Sequence, residues 1–391
     1  MKNTDRKVLV IGGTGLISSA VTSELIRRTF KVTLLNRGTA REKIEGVDYI
    51  TADVKKNSMD ELQEKISGKS WDAILDFVSY TKNQLKKILK IFDGKYQQYI
   101  FISTASVCIN EIGKITEKDV IEYPQWKYAF DKKTAETYLE NFHEGKNSWY
   151  TIIRPYITYS EKRLPLQFSP LKYYTNINRI KCGKPLPVCE ANVHTTFTSD
   201  QVFAVGCAGL IMNPSAKNES FNVTGGRSMS WEEIYHRVYS DLSKKEWIVE
   251  IPLNFINLWE VCGFDKDEIL YDKALDRKFD NRKINNAVSE FEKLNDTKFY
   301  YDFKHVIEYY NTNSDMQIID YKWDARIDNM LAKWYRRKGI REYDRSLSIK
   351  AYTNRMKFKD RFTYLLYRYD TTFLICKAIG KLKKYLYEGW K

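Results

Sequence analysis

The residues Val8-Leu-Val-Ile-Gly12-Gly-Thr-Gly15-Leu-Ile-Ser18 set a strand, a tight glycine turn and a helix start in immediate succession. Glycines at such a join let the backbone approach a pyrophosphate, and the helix N-terminus behind them supplies amide donors and a favourable dipole. Ser18 stands where a third glycine is usual, and a small residue still allows close helix–sheet packing. A strand ahead and an amphipathic helix behind place dinucleotide binding above an ordinary βα turn. Gly12, Gly13, Thr14, Gly15, Leu16 and Ile17 are the candidate phosphate-binding residues.

The rest of the first half repeats this alternation. Strands are expected at Lys7–Ile11, Lys31–Asn36, Tyr49–Asp53, Ala73–Phe77, Tyr99–Ser103 and Tyr150–Arg154. Several are nearly continuous in apolar residues, as strands covered on both faces are. Helical periodicity lies between them at Leu16–Arg28, Ser58–Ile66, Lys82–Phe92 and Phe130–Phe142. The pattern predicts an α/β fold, a Rossmann-type doubly wound parallel sheet over residues 1–160, with returns to the sheet near Ser199–Ile211 and Ser220–Thr224. Residues 161–320 are expected to form mainly a smaller substrate-binding subdomain, and 321–391 an appended basic helical tail.

The end of the second strand bears on the choice of cofactor. An acidic residue there would bond the adenosine ribose hydroxyls and repel a 2′-phosphate. This chain has neutral Asn36 and cationic Arg37, with Arg41 close by, which favours NADP over NAD. Asp53, at the end of the third strand, is placed to meet the adenine edge.

Thr104, Tyr128 and Lys132 are the candidate catalytic set. A free tyrosine titrates near pH 10, so about 3 units of depression, roughly 4 kcal/mol, are needed for it to act as a base near neutrality. The Lys132 ammonium, one turn along a helix from Tyr128, and an oxidised nicotinamide supply positive charge for that. Thr104 would hydrogen-bond the substrate oxygen that exchanges the proton. Without the glycine turn upstream, Tyr128 and Lys132 would read as a surface pair.

Taken together, Gly12-Gly-Thr-Gly15-Leu-Ile, Asp53, Ser103-Thr104-Ala-Ser-Val107, Tyr128-Ala-Phe-Asp-Lys132-Lys-Thr-Ala-Glu136, Arg154-Pro155 with Tyr159, and Phe221-Asn-Val-Thr-Gly225 resemble an extended short-chain dehydrogenase/reductase of the NAD-dependent epimerase/dehydratase kind. The match runs over roughly residues 5–315, and Asp76-Phe77-Val78-Ser-Tyr80 resembles a less typical branch. The resemblance implies hydride transfer on a sugar, on a nucleotide-linked sugar above others, by epimerisation or reduction. It adds Val54, Phe77, Ser103 and Pro155 to the cofactor-binding candidates, beside Tyr128 and Lys132, and names Tyr80, Ser106, Arg179 and His194 as weak substrate candidates. Two departures stand out. Family dehydratases carry an acidic pair after the catalytic threonine, where this chain has Ala105 and Ser106, so dehydration is disfavoured. The stretch Val193–Asp200 lacks the arginine that often meets a substrate pyrophosphate; Arg179, Lys172 or His194 could take its place.

The net charge of +14 is uneven: residues 321–391 hold 19 Lys/Arg against 7 Asp/Glu, leaving only +2 for the rest. Phe358, Phe362, Leu365, Tyr369, Cys376, Ile379 and Leu386 recur there at helix-like spacing, interrupted by Thr372 and Lys383. A helix docked on the body or on a second subunit of a homo-oligomer competes with an interfacial helix on an anionic membrane, fitting if the product feeds polysaccharide biosynthesis through a lipid-linked glycan. Nucleic acid is disfavoured for want of an RNA-binding motif. The rival to an enzyme is a non-catalytic Rossmann scaffold that binds RNA or a membrane through this tail. No signal-peptide or transmembrane segment is read, and the six cysteines and four histidines show no metal spacing. The expectation is a cytoplasmic protein, peripheral at the inner face of the membrane if the tail binds there, and no metal.

Overall fold

The computed structural model describes residues 5–38, 44–257, 266–297, 303–340, 352–376 and 378–379. They fall into two compact units. Unit 1 is Met1–Ser160, His194–Met229 and Leu275–Tyr300; unit 2 is Glu161–Val193, Ser230–Ala274 and Tyr301–Lys391.

Unit 1 is built on seven strands: β1 (Lys7–Ile11), β2 (Lys31–Asn36), β3 (Asp48–Thr51), β4 (Trp71–Asp76), β5 (Tyr96–Ile102), β6 (Trp149–Pro155) and β7 (Glu219–Val223). All pair in parallel, in the order β7-β6-β5-β4-β1-β2-β3. The order reverses between β1 and β4, and ligands of such sheets lie at the carboxyl ends of the strands beside that point. The Rossmann-type expectation is met.

Side chains alternate across the sheet. Val8, Val10, Ala73, Leu75, Ile100 and Ile153 join the core under α1 (Ser18–Arg27) and a later helix, Asp200–Gly209. Leu9, Ile11, Ile74, Tyr99, Phe101 and Ile152 join the opposite core under α2 (Met59–Lys65), α3 (Lys82–Phe92) and α4 (Lys127–His143). Near-continuous apolar strands are what two covered faces require. Ser58 starts α2 with a capping box to Glu61, and the Thr81 hydroxyl caps α3.

Three elements differ from expectation. The Ser199–Ile211 return is chiefly a helix: its apolar run suits a buried strand or a buried helix, and the Ser199 hydroxyl, accepting from the Gln201 N–H, starts the helix. β5 begins at Tyr96, its start hidden by the Gln97-Gln98 pair, of which Gln98 is buried with its amide bonded to Thr151 Oγ1 and the Leu210 carbonyl at 2.9 Å each. α4 begins at Lys127, so Tyr128 lies within it.

Unit 2 contains α5 (Tyr174–Lys181), which precedes Asp200–Gly209, hereafter α6, and then α7 (Tyr321–Arg337) and α8 (Phe358–Arg368). Trp323, Ile327, Met330 and Leu331 of α7 pack with Phe168, Val249, Ile251, Phe255 and Ile269 in one core. The chain from 321 is therefore not wholly appended. Its first helix is core.

That helix also closes a buried ionic cluster. Arg179, fully buried, pairs with Asp324 and lies 2.9 Å from Asp328; Lys184 reaches the same two carboxylates at 2.9 and 2.5 Å. Burial alone would raise the Asp328 carboxyl, but Arg179, Lys184 and Arg368 hold it well below the usual carboxylate range. The expectation of Arg179 as a substrate ligand is corrected here, because its guanidinium is committed to carboxylates inside unit 2.

Candidate active site

The glycine turn at the end of β1 is shaped by close approach. Gly12 has φ +84°, and a Cβ there would lie 2.5 Å from Val78 Cγ1; one on Gly13 would lie 2.6 Å from Leu34 Cδ2. The positive φ makes Gly12 a glycine position, whereas a side chain at Gly13 would have to displace Leu34. Ser18 fastens the turn: its hydroxyl donates to the Gly12 carbonyl at 2.6 Å and accepts from the Gly15 N–H at 2.8 Å. No side chain caps the start of α1 at Ile17, while Thr14, Gly15 and Leu16 are exposed. An uncapped helix start beside an exposed glycine turn could hold an anion, by its free amides and dipole.

The strand ends beside the turn carry polar atoms that lack partners. Asn36 Nδ2, Ser79 Oγ and Ser103 Oγ are buried and have no hydrogen-bond partner in the structure. They follow or close β2, β4 and β5, where a dinucleotide lies in this topology. Three of the eighteen such atoms among the described residues lie at this edge, where a bound polar ligand could meet them. Asn36 Oδ1 is already used, accepting from the Gly38 N–H at 3.0 Å. Arg37 is exposed, and the Asp53 carboxyl lies within its field, held low chiefly by the Lys55 backbone N–H. Val54 and Phe77 flank the same strand ends, one buried and one half-buried; Pro155 closes β6 opposite Val223. Arg41 lies outside the described residues.

Lys132, 3% exposed, is the most constrained of the three candidate catalytic residues. Its Nζ donates to the carbonyls of Ser79 at 2.8 Å and Ile102 at 2.7 Å, and lies 4.7 Å from the ring centres of Tyr80 and Phe101. Burial pulls its pKa down to about 8, while Asp76 and Glu136 hold it up. Asp76 sets this geometry from below. Fully buried at the end of β4, it accepts from the N–H groups of Val78 and Ser79 at 2.8 and 3.0 Å and from the Tyr99 hydroxyl at 2.8 Å. It thereby fixes the loop whose Ser79 carbonyl holds Lys132. The sequence showed Asp76 only as part of a motif.

Tyr128 is half-buried, its ring tilted against Trp126 at 4.9 Å between centroids and against Tyr80 at 6.3 Å. It packs against the cluster of Ala105, Val107 and Ala129, of which Ala105 directly follows Thr104 in the chain. Thr104 is buried; its hydroxyl donates to Ser106 Oγ at 3.1 Å and accepts from the Ser106 N–H at 3.2 Å. α4 is tied to β6 by a buried pair, Arg154 to Glu136, in two parallel bonds of 2.9 and 2.8 Å. Both residues stood in the sequence motifs without a role. Unit 1 thus brings Thr104, Ser106, Tyr80, Tyr128 and Lys132 to one end of its sheet. His194 sits apart in its bonding, its N–H given to Asp276 at 2.8 Å and its side chain 40% exposed.

A model of the NAD dependent epimerase/dehydratase family matches residues 8–223, more than half of the chain. The chain belongs to that family. Among curated proteins, it is 24% identical over 244 residues to the chloroplast stem-loop binding protein of 41 kDa b from Arabidopsis thaliana, a match that spans 59% of this chain and 61% of that relative. Among solved structures, an epimerase of Methanothermobacter thermautotrophicus aligns with TM-score 0.64 at 14% identity, covering 80% of this chain and 94% of its own. The dTDP-glucose 4,6-dehydratase of Bacillus anthracis, solved with NAD, gives 0.62 at 15%, covering 79% and 98%. The UDP-glucuronic acid 4-epimerase of Bacillus cereus, also with NAD, gives 0.58 at 16%, covering 78% and 99%. At these identities the structural likeness shows the fold. Within it, Ala105 and Ser106 follow Thr104 in a one-turn helix, so neither position after the threonine carries an acid.

Proposed function

We propose that this protein is an NAD(P)-dependent sugar epimerase or reductase acting on a nucleotide-linked sugar. The observation that carries the reading is Lys132, held by two backbone carbonyls one helical turn from Tyr128, at strand ends whose buried polar atoms lack partners. The glycine turn, Asn36, Ser79, Ser103 and Lys132 would hold the cofactor, whose nicotinamide when bound exchanges a hydride with the substrate carbon.

The chain's own residues handle the proton. Tyr128 takes it from, or returns it to, the substrate hydroxyl. The Lys132 ammonium lies one turn away on α4 and favours the tyrosinate that this exchange passes through. Thr104 orients the oxygen, with its hydroxyl positioned by Ser106. Elimination of water needs a further acid and base, which Ala105 and Ser106 do not provide, so epimerisation or reduction is favoured over dehydration.

NADP is proposed over NAD. Asn36 Nδ2 is a buried donor at the end of β2, and Arg37 beside it is cationic; both suit the oxygens of a 2′-phosphate. A non-catalytic scaffold has no need of Thr104, Tyr128 and Lys132 together, so the enzyme reading is preferred to it.

The test is a titration with NADP+, NAD+, NADPH and NADH followed by a panel of UDP- and dTDP-sugars, with epimer exchange read by NMR with the oxidised cofactor and reduction by absorbance with the reduced one. Tighter NADPH binding and turnover of at least one sugar are expected. Tyr128→Phe should bind cofactor normally and lose turnover by at least a hundredfold. Near-normal turnover in that variant removes Tyr128 from the chemistry.

A further inference from the structure

The helix α8 exposes two phenylalanines while its most buried contacts are polar. Its buried residues are Tyr364 and Arg368. They meet α7 through polar groups: the Tyr364 hydroxyl bonds Asp328, Asn329 Nδ2 donates to the Arg368 carbonyl at 2.6 Å, and Arg326 Nη1 donates to the Tyr367 carbonyl at 3.2 Å. Two of its apolar side chains face out, while Leu365 and Leu366 are half-buried. Phe358 is 85% exposed and Phe362 58%, one turn apart on α8, and Tyr369, the extended residue that ends the helix, is 51% exposed. Beyond the helix, Leu374, Ile375 and Ile379 are each more than half exposed. Six of the sixteen large apolar side chains exposed among the described residues thus fall within 358–379. Single exposed apolar residues are ordinary; a run of them marks a contact surface.

Its charge says what the contact is. Arg355, Lys357, Lys359 and Arg361 are all exposed around the first turn, against one acid, Asp360. A second copy of this chain meeting the same face would set one basic collar against another, which is unfavourable. Nucleic-acid bases could stack on Phe358, Phe362 and Tyr369, but would leave the aliphatic Leu374, Ile375 and Ile379 in water. An anionic bilayer surface satisfies both parts, with headgroups around the cations and acyl chains under the apolar side chains. We propose that α8 and the residues after it to Ile379 seat this protein on anionic membranes, lying in the interface. Among the described residues no helix is long and apolar enough to cross a bilayer. The proposal stands independently of the catalytic reading.

Full-length protein is to be co-sedimented with vesicles of phosphatidylcholine alone and of phosphatidylcholine with 30% phosphatidylglycerol. Binding at least tenfold stronger to the anionic vesicles is expected, with release in 0.5 M NaCl. The double variant Phe358→Ser, Phe362→Ser should keep the wild-type melting temperature, since both side chains are already largely in water, and lose vesicle binding at least tenfold. Lys357→Glu with Lys359→Glu should do the same. Three outcomes overturn the proposal. One is no vesicle binding. Another is binding that the phenylalanine variant retains in full. The third is a concentration-dependent dimer, or salt-sensitive RNA binding, that this variant abolishes while vesicles are not bound.

Discussion

Asp76 shows how one buried carboxylate governs a site it does not enter. It receives three hydrogen bonds, two from the backbone of the loop that holds Lys132 and one from Tyr99. Asp76→Ala would strand two N–H groups and a fully buried hydroxyl, each costing about 1–3 kcal/mol. A loss of about 3 kcal/mol or more is expected from urea unfolding, against about 1 kcal/mol for Tyr99→Phe, which leaves Asp76 two of its partners. Equal losses in the two variants would show that the loop does not depend on Asp76. Lys132 supplies the pH-dependent counterpart. Burial sets its folded pKa at about 8, below the ordinary lysine value of 10.5. Below pH 8 the amine is charged in both states and the burial penalty is fully present. As pH rises from 8 towards 10.5 the folded state releases the proton while the unfolded chain keeps it, so stability rises. Relative to Lys132→Met, the cofactor-free wild type should gain on the order of 3 kcal/mol across that window, at about 1.4 kcal/mol per unit. A difference between the two proteins that stays flat with pH would place the amine in contact with water.

At the level of elements, α4 matters because it delivers both Tyr128 and Lys132, and its anchor is the Glu136–Arg154 pair, 0% and 2% exposed. Removing one partner of a buried pair leaves an uncompensated charge, at about 3–5 kcal/mol; removing both with apolar residues of similar size costs much less. Glu136→Leu and Arg154→Met alone should each destabilise by that larger amount, and the double variant by less than either. An additive double variant would mean that the pair does not act as a unit. Glu136 and Arg154 were visible in the sequence, as were Tyr128 and Lys132, because their spacing within a motif needs no knowledge of the fold. The strands were visible through unbroken apolar runs, and the glycine turn through its position between one such run and a helix. Asp76 was seen but not understood, since its work is done on loop N–H groups that no side-chain pattern reports. Arg179 is illegible in the sequence for the opposite reason: a guanidinium reads as solvent-facing until a carboxylate 145 residues away, Asp324, is brought to it. The apolar face of α7 was overlooked because charge dominates its composition, although Trp323, Ile327, Met330 and Leu331 are spaced as one helix face.

At the level of the chain, the last 71 residues divide by what they touch, although charge makes them look uniform. α7 belongs to the core of unit 2, with Trp323, Ile327, Met330 and Leu331 packed inside it. It also brings Asp324 and Asp328, the carboxylates that neutralise Arg179 and Lys184, which are fully and almost fully buried. A truncation after Asp320 therefore removes four large apolar side chains from a packed core, each worth about 2–5 kcal/mol when cut to alanine. It also leaves two buried cations without counter-charges, a further few kcal/mol. Those losses exceed the ~5–15 kcal/mol by which a typical domain is stable. The truncated protein should be insoluble or should lose the cooperative unfolding of unit 2, as read by calorimetry. Charge and packing are separated by a full-length variant, Asp324→Asn with Asp328→Asn, which keeps every apolar contact of α7 and removes only the counter-charges. It should be destabilised by several kcal/mol while remaining folded at room temperature, whereas Phe358→Ser with Phe362→Ser on α8 should leave the melting temperature unchanged. A soluble, cooperatively folded protein ending at Asp320 would overturn this assignment and return α7 to the role of an appendage.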